Sequence, residues 1–171
     1  MTEAILSTVG LTRRFGGLVA VSNVSLDLRV GEVHVVIGPT GAGKTTLTNL
    51  LSGDLKPTSG SIRLKGTEIA AMPPVRRSRL GIGRSYQKTN IFLPFTVFEN
   101  CRLAAQSRTP HAWRAFSRAL AFGDINRQAE AAMEAAGLAH RRDRVAATLS
   151  HGEQRQLEIA MCLATQPRVL L

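Results

Sequence analysis

This chain of 171 residues is short of several things, and each shortage removes a class of protein. Aromatic residues make up 5%, with a single tryptophan and a single tyrosine. None of them interleaves with the basic clusters Arg13-Arg14, Arg76-Arg77-Arg79 and Arg141-Arg142-Arg144, as a base-stacking platform for nucleic acid would require. Cysteine occurs only at Cys101 and Cys162, without metal-ligand or C-x-x-C spacing, so two reduced thiols in a reducing compartment are expected. No apolar run reaches the roughly 18 residues that span a bilayer. Glu3 sits early, and Ala4-Ile5-Leu6 is too short for the apolar core of a signal peptide, so a cytosolic chain is expected. Acidic residues are also scarce, 12 against 22 Lys and Arg, for a net charge of +10. That balance fits either a basic nucleic-acid surface or a solvated Arg-rich surface facing acidic headgroups or a partner. The scatter of the arginines favours the second.

What remains is an ordinary globular composition, 44% hydrophobic and 20% charged, sized for one core and one domain. Within it, Gly38-Pro39-Thr40-Gly41-Ala42-Gly43-Lys44-Thr45-Thr46 follows the apolar run 33–37 and precedes the helix-prone Leu47-Thr48-Asn49-Leu50-Leu51. Strand, glycine loop and helix in that order are the context that gives G-x-x-x-x-G-K-[ST] physical meaning. Glycines let successive N–H groups curl around an anion, and the helix that follows adds its free N–H groups and positive end. Lys44 supplies charge for the β and γ phosphates and the Thr45 hydroxyl a ligand for Mg²⁺. A nucleoside triphosphate is the expected ligand.

Along the chain, residues 4–11 read as a strand and Phe15-Gly16-Gly17 as a turn. Val24, Leu26, Leu28 and Val30 alternate with Ser25, Asp27 and Arg29, predicting a half-buried antiparallel strand. Residues 33–37 read as a central strand buried on both faces. The loop's helix is expected to stop at Gly53. A short strand over 61–64, a basic segment after Pro73-Pro74 and another strand over 81–86 follow. Helices come next: one capped by Thr96 and Glu99, others over 111–122 and 124–136, and a last one from Ser150 to about Gln166, stopped by Pro167. Val169-Leu170-Leu171 reads as the opening of a new buried strand.

Leu149-Ser150-His151-Gly152-Glu153 is the second informative stretch. Ser150 and Glu153 form a capping-box pattern, and a helix start carrying Ser and Gly is also a second anion site, about a hundred residues from the first. Two such sites in one chain point to two copies sharing a nucleotide.

These residues resemble the ABC-transporter ATPase family, in which L-S-G-G-Q is the signature; here His151 stands for the first glycine and Glu153 for the glutamine. The resemblance implies that Ser150 and Gly152 face the γ-phosphate of a partner's nucleotide, with Glu153 beside them in the nucleotide-binding set. It also implies that Gln87 contacts Mg²⁺ and couples to the membrane subunit, beside Lys44 as a catalytic residue, and that Phe15 stacks on adenine. On the residues alone, Gln87 also fits an ordinary loop, Phe15 core packing, and His151 either a tolerated variant or a pH-sensitive group. The stretches 15–21, 80–87 and 150–160 are most similar to the ATP-binding subunits of branched-chain amino-acid importers. Urea importers and lipopolysaccharide exporters share part of this wording.

The implied fold is an α/β P-loop NTPase core of the ABC type with an antiparallel β subdomain and a helical subdomain. Residues 1–86 and 168–171 would form the core and 87–167 the Q-loop and helical part, with the C-terminal part of the core missing. The family's Walker B strand ends in an Asp for Mg²⁺ and a Glu that activates water. Arg168-Val169-Leu170-Leu171 matches only its apolar start. The chain is therefore expected to be an N-terminal piece that binds ATP and Mg²⁺ but hydrolyses little. The expected partners are a second ATP-binding subunit in a homo- or heterodimer, transmembrane permease subunits and, indirectly, a substrate-binding protein, at the cytoplasmic face of the cell membrane. Nucleic acid is not among them. A complete non-hydrolysing nucleotide-binding module and a DNA-associated ATPase are the alternatives. The second lacks the sustained heptads it needs between the two motifs.

Overall fold

The computed structural model describes residues 4–86, 90–108 and 123–171. The chain divides into two compact units, Met1–Ile82 with Leu171, and Gly83–Leu170.

In the first unit, β1 (Leu6–Phe15) and β2 (Leu18–Leu28) form a hairpin. β3 (Ser59–Leu64) pairs antiparallel with the other edge of β1, and β4 (Thr67–Glu68) with β3, giving the order β2-β1-β3-β4. β1 buries Leu6, Thr8 and then Leu11, an odd step that a strict two-residue alternation cannot make. The ladder slips between Thr8 and Leu11, and this bulge returns the apolar side to the core. The buried Thr8 hydroxyl donates to the Val24 carbonyl at 3.1 Å and accepts from the Leu26 N–H at 3.2 Å, so it costs no unpaired polar atom.

Helix α1 (Lys44–Ser52) buries Leu47, Leu50 and Leu51 at helical spacing and ends, as its sequence predicts, at Gly53 with φ 90°. Its last carbonyls are held by a group that sequence patterning does not reveal. Arg77 lies on α2 (Pro74–Leu80) and is only 1% exposed. Its guanidinium donates to the carbonyls of Leu50 (2.6 Å), Leu51 (2.9 Å), Met72 (3.0 Å) and Ala70 (2.8 Å). A Cβ on Gly53 would come within 2.8 Å of Arg77 Nε, so the turn must stay bare for the cation to reach the helix end. Burial lowers the Arg77 pKa, opposed by the charges of Glu68 and Asp54.

Three expectations are corrected here. Residues 33–37 are not a buried strand: no regular element covers them, and Val33, Val35, Val36 and Ile37 are 55–89% exposed. A central strand needs hydrogen-bonding neighbours on both edges and cover on both faces, and none of the described strands of the four-stranded sheet lies beside this segment. β2 likewise begins earlier than its alternation indicates and stops at Leu28, leaving Val30 exposed. The strand expected over 81–86 is only β5 (Ile82–Gly83). Beyond it, side chains of the second unit take the carbonyls that a longer ladder would use: Cys162 Sγ donates to Arg84 O at 3.3 Å and Arg155 Nη1 to Tyr86 O at 2.5 Å.

The second unit is helical: α3 (Val97–Gln106), α4 (Gly123–Ala135) and α5 (His151–Ala164), followed by the short β6 (Val169–Leu170). The helix expected over 111–122 lies outside the described residues. Small buried side chains, among them Ala105, Ala129, Ala132, Ala160 and Ala164, let the three helices approach around Met133, Leu138 and Leu157. Fully buried Asn100 accepts from the Phe92 N–H at 2.8 Å and donates to the carbonyls of Phe92 (3.0 Å) and Thr96 (2.9 Å). The segment 142–147 is stitched to the entry of α3 by backbone bonds from Val97 to Arg144, Phe98 to Arg142, Ala146 to Phe95 and Ala147 to Leu93. Cys101 is buried, which pushes its pKa up to about 12. Half-buried Cys162 is also raised, first by burial and then by the charge of Glu158.

Replacing Arg77 with Met would keep volume but strip four carbonyls of their donor. We expect a loss of about 3 kcal/mol in urea unfolding followed by circular dichroism. A loss below about 0.5 kcal/mol, the size of an ordinary surface change, would mean that Arg77 is not a clamp.

Candidate functional site

The phosphate-loop sequence and Phe15 lie in the first unit, and the Ser150 segment in the second. From Gly38 the chain turns through Ala42, whose N–H donates to Pro39 O at 3.2 Å, and enters α1 at Gly43. Gly43 is a glycine for two separate reasons. Its φ is 83°, in the left-handed region. A Cβ there would also stand 2.1 Å from the Ala20 carbonyl oxygen and 3.5 Å from Val21 Cγ2, so the loop's exit rests directly on β2.

Having no side chain, Gly43 cannot cap the helix it opens, and the first turn holds no acidic residue. The first N–H groups of α1 and its positive end are therefore uncommitted, the arrangement that receives an anion. Lys44 Nζ bends over the loop and donates to the carbonyls of Gly38 (2.7 Å) and Pro39 (2.8 Å). Thr45 is exposed in the first turn, with Thr46 beside it half-buried. Together 38–46 bring glycine backbone, a cation and hydroxyls into one stretch.

Phe15 ends β1 opposite Leu18 and is 42% exposed, with the Arg13 guanidinium 4.6 Å over its ring. Gln87 lies outside the described residues.

In the second unit, α5 starts in the opposite manner to α1. Ser150 Oγ accepts from the Glu153 N–H at 3.3 Å, while Glu153 Oε2 accepts from the Ser150 N–H and hydroxyl, each at 2.9 Å. The capping box read from the sequence is thus formed, as is the one joining Thr96 and Glu99 on α3. Glu153 Oε1 also accepts from Arg141 Nε at 2.8 Å. Hydrogen bonding from the Ser150 backbone and hydroxyl, ahead of Arg141, lowers the Glu153 pKa. Within the chain, then, Ser150 and Glu153 already satisfy each other. Gly152 is exposed, and an added Cβ would meet nothing within 4 Å, so no contact inside the chain requires a glycine there.

Sequence reasoning missed the partners that hold these residues. Ala20, Arg13 and Arg141 belong to no motif, and each acts through a backbone register or loop closure that spacing does not encode.

Residues 21–171 match the ABC transporter family, and the chain belongs to it. It is 40% identical to the high-affinity branched-chain amino acid transport ATP-binding protein LivG of Salmonella typhimurium strain LT2, over all of this chain and 69% of that protein. It is 43% identical to BraF, a protein of the same description from Pseudomonas aeruginosa, with the same coverage. Among solved structures, the ADP conformation of the ATP-binding cassette MJ1267 superposes with a TM-score of 0.82 at 28% identity, covering 99% of this chain and 68% of that one. CbiO1 from Clostridium perfringens, part of the transporter complex cbiONQ, gives 0.81 at 25% identity, covering 98% and 64%.

Two measurements check this geometry. Gly43→Ala is expected to abolish saturable binding of a fluorescent nucleotide, because the added Cβ would stand only 2.1 Å from the Ala20 carbonyl oxygen, which cannot retreat without parting β2 from β1; unchanged affinity would show that the loop does not rest there. The second concerns acid. The folded-state pKa values of Glu99 and Glu153 are lowered, so their contribution is present above the ordinary carboxylate pKa and fades as pH falls through the folded values. The stability gap between wild type and a Glu99→Gln, Glu153→Gln double variant should therefore close as pH drops from about 6 to about 3. A gap that stayed constant would rule the two carboxylates out as charged caps.

Proposed function

We propose that this chain is the ATP-binding, energy-coupling subunit of an importer for branched-chain amino acids, gripping ATP with Mg²⁺ through residues 38–46. The observation that carries the reading is the glycine-opened, uncapped start of α1 beneath the Lys44 ammonium. A phosphate would draw that ammonium from two neutral carbonyls to full negative charge, while the N–H groups of Lys44, Thr45 and Thr46 receive the remaining oxygens. Phe15 would take the adenine ring, and residues 1–86 with 168–171 would act as the nucleotide-binding core, with 87–167 as the helical part.

The donor set near the loop fits Mg²⁺ of the kind bound chiefly by phosphate and water. An exposed Thr45 hydroxyl is on hand, and the described residues hold no group of three His, Cys, Asp or Glu side chains able to cage a metal. When bound, the ion would neutralise phosphate charge; Thr45, with Gln87 as the glutamine of the family's second motif, would orient it.

Ser150 and Gly152 would meet the γ-phosphate of a second ATP-binding subunit, which explains why position 152 keeps a glycine that the chain's own packing does not need. The support for branched-chain amino acids as cargo is the likeness to LivG and BraF. Among the described residues no helix is long and apolar enough to cross a membrane, so permease subunits would carry the solute while this chain works peripherally at the cytoplasmic face.

No carboxylate stands in the loop or in the first turn of α1 to activate water, and the 171-residue chain is expected to hydrolyse ATP far more slowly than it binds it. In a fluorescent-ATP titration Lys44→Ala should weaken binding about tenfold or more, the worth of one charge-assisted contact. Equal binding by both would remove 38–46 as the site. Lys44-dependent phosphate release near 1 s⁻¹, about an ordinary enzyme rate, would instead overturn the hydrolysis statement. Gly152→Ala should raise the stability of the isolated chain by about 0.5–1 kcal/mol through helix propensity while reducing ATP-induced self-association in sedimentation. Intact association would take position 152 out of the interface.

A further inference from the structure

Phe15 ends a hairpin strand beside Gly16-Gly17, where an exposed ring has little packing to fix its plane. One neighbour does fix it. The Arg13 guanidinium lies over one face, 4.6 Å from the ring centroid. Its far end is tied down, since Arg13 Nη1 donates to the Lys56 carbonyl at 2.8 Å. That carbonyl belongs to a segment sewn to the same strand: Thr58 N–H donates to Thr12 O at 2.8 Å, and Arg14 N–H to Thr58 Oγ1 at 3.0 Å.

Hydrogen bonding alone does not explain where this arginine sits. None of the ion pairs among the described residues includes it, and its Nε is buried without an acceptor. A guanidinium in that position gains chiefly from the negative face of the ring. Arg13 is also in register with Val21, the neighbour of the Ala20 carbonyl on which Gly43 rests, and Phe15 pairs with Leu18 just beyond a shift in the same ladder. Ring, guanidinium and the exit of the phosphate loop are thus carried by one pair of strands.

We propose that Arg13 is a positioning residue for nucleobase recognition: pinned to Lys56, it backs the Phe15 ring so that the opposite face is presented flat to the aromatic base of a nucleoside triphosphate. This rests on the reading that Phe15 receives the base. The cation also draws electron density from the ring, so the free face is better matched to an electron-rich purine. The phosphate grip is a separate contribution, made by 38–46, and Arg13 does not alter it.

The test compares displacement of a fluorescent nucleotide by ATP and by inorganic tripolyphosphate, which has phosphates and no base. Arg13→Met should weaken ATP about threefold to tenfold while tripolyphosphate stays within about twofold of wild type. Arg13→Lys, which keeps the charge and loses the flat fork, should fall between. Thermal melting of each variant establishes that it is folded, and Arg13→Lys serves if Arg13→Met is not. Equal losses for ATP and tripolyphosphate, no loss, or tighter ATP binding in the arginine variants would overturn the proposal. Phe15→Ala separates the two layers. If it lowers ATP selectively and the Arg13 variants do not, the base site stands and the backing role falls. If Phe15→Ala leaves the ATP-to-tripolyphosphate ratio at the wild-type value, the base does not sit on Phe15 and both fall.

Discussion

Helix α1 opens without a side-chain cap or an acidic residue in its first turn, and the first unit has to hold it by other means. The starts of α3 and α5 are filled by reciprocal Thr–Glu and Ser–Glu boxes, while the short α2 opens on Pro73-Pro74 without a side-chain cap. Helix α1 has neither, and its position has to be secured in some other way. Its entry leans on the β2 backbone through Gly43, and its exit is held by Gly53 and by Arg77, which donates to the carbonyls of Leu50 and Leu51 and is itself anchored on Ala70 and Met72. The free N–H groups are thereby aimed without being used. A buried arginine spent on four neutral carbonyls is an unusual choice for stability alone, since desolvation works against it. It is intelligible as the cation that answers the negative end of a helix whose positive end is left open.

The second unit solves a different problem. Helix α5 is held along its body and from behind, and its tip is left exposed. Ala-lined packing against α3 and α4 sets the helix body, the 142–147 segment sets its approach, and Arg141 and Gln154 fix the first turn from behind. What is left outward is Gly152, bare and uncrowded.

Much of this was legible in the sequence because it depends on local chemistry. Gly53 as a helix stop, the Thr96 and Ser150 boxes and the loop between an apolar run and a helix all follow from residues within a few positions of one another. The part that was not legible depends on partners distant along the chain. Residues 33–37 have the composition of a central strand, but composition cannot supply the neighbours that make a strand central. Arg77 reads as one of three arginines in a basic segment, and only the fold distinguishes it from the exposed Arg76 and Arg79. Phe15 was visible as an aromatic at a turn; the Arg13–Lys56 support behind it crosses from β1 to the segment before β3, which no periodicity records.

The two thiols have a practical consequence for anyone who labels this protein. With its pKa near 12, Cys101 exists as thiolate in only about one molecule in 10⁵ at pH 7, and it is fully enclosed. Cys162 is raised in the same direction and spends its hydrogen on the Arg84 carbonyl. Both are therefore slow nucleophiles toward maleimides at neutral pH. A cysteine introduced on an exposed position would react ahead of them, giving a site-specific dye attachment without first deleting either native residue.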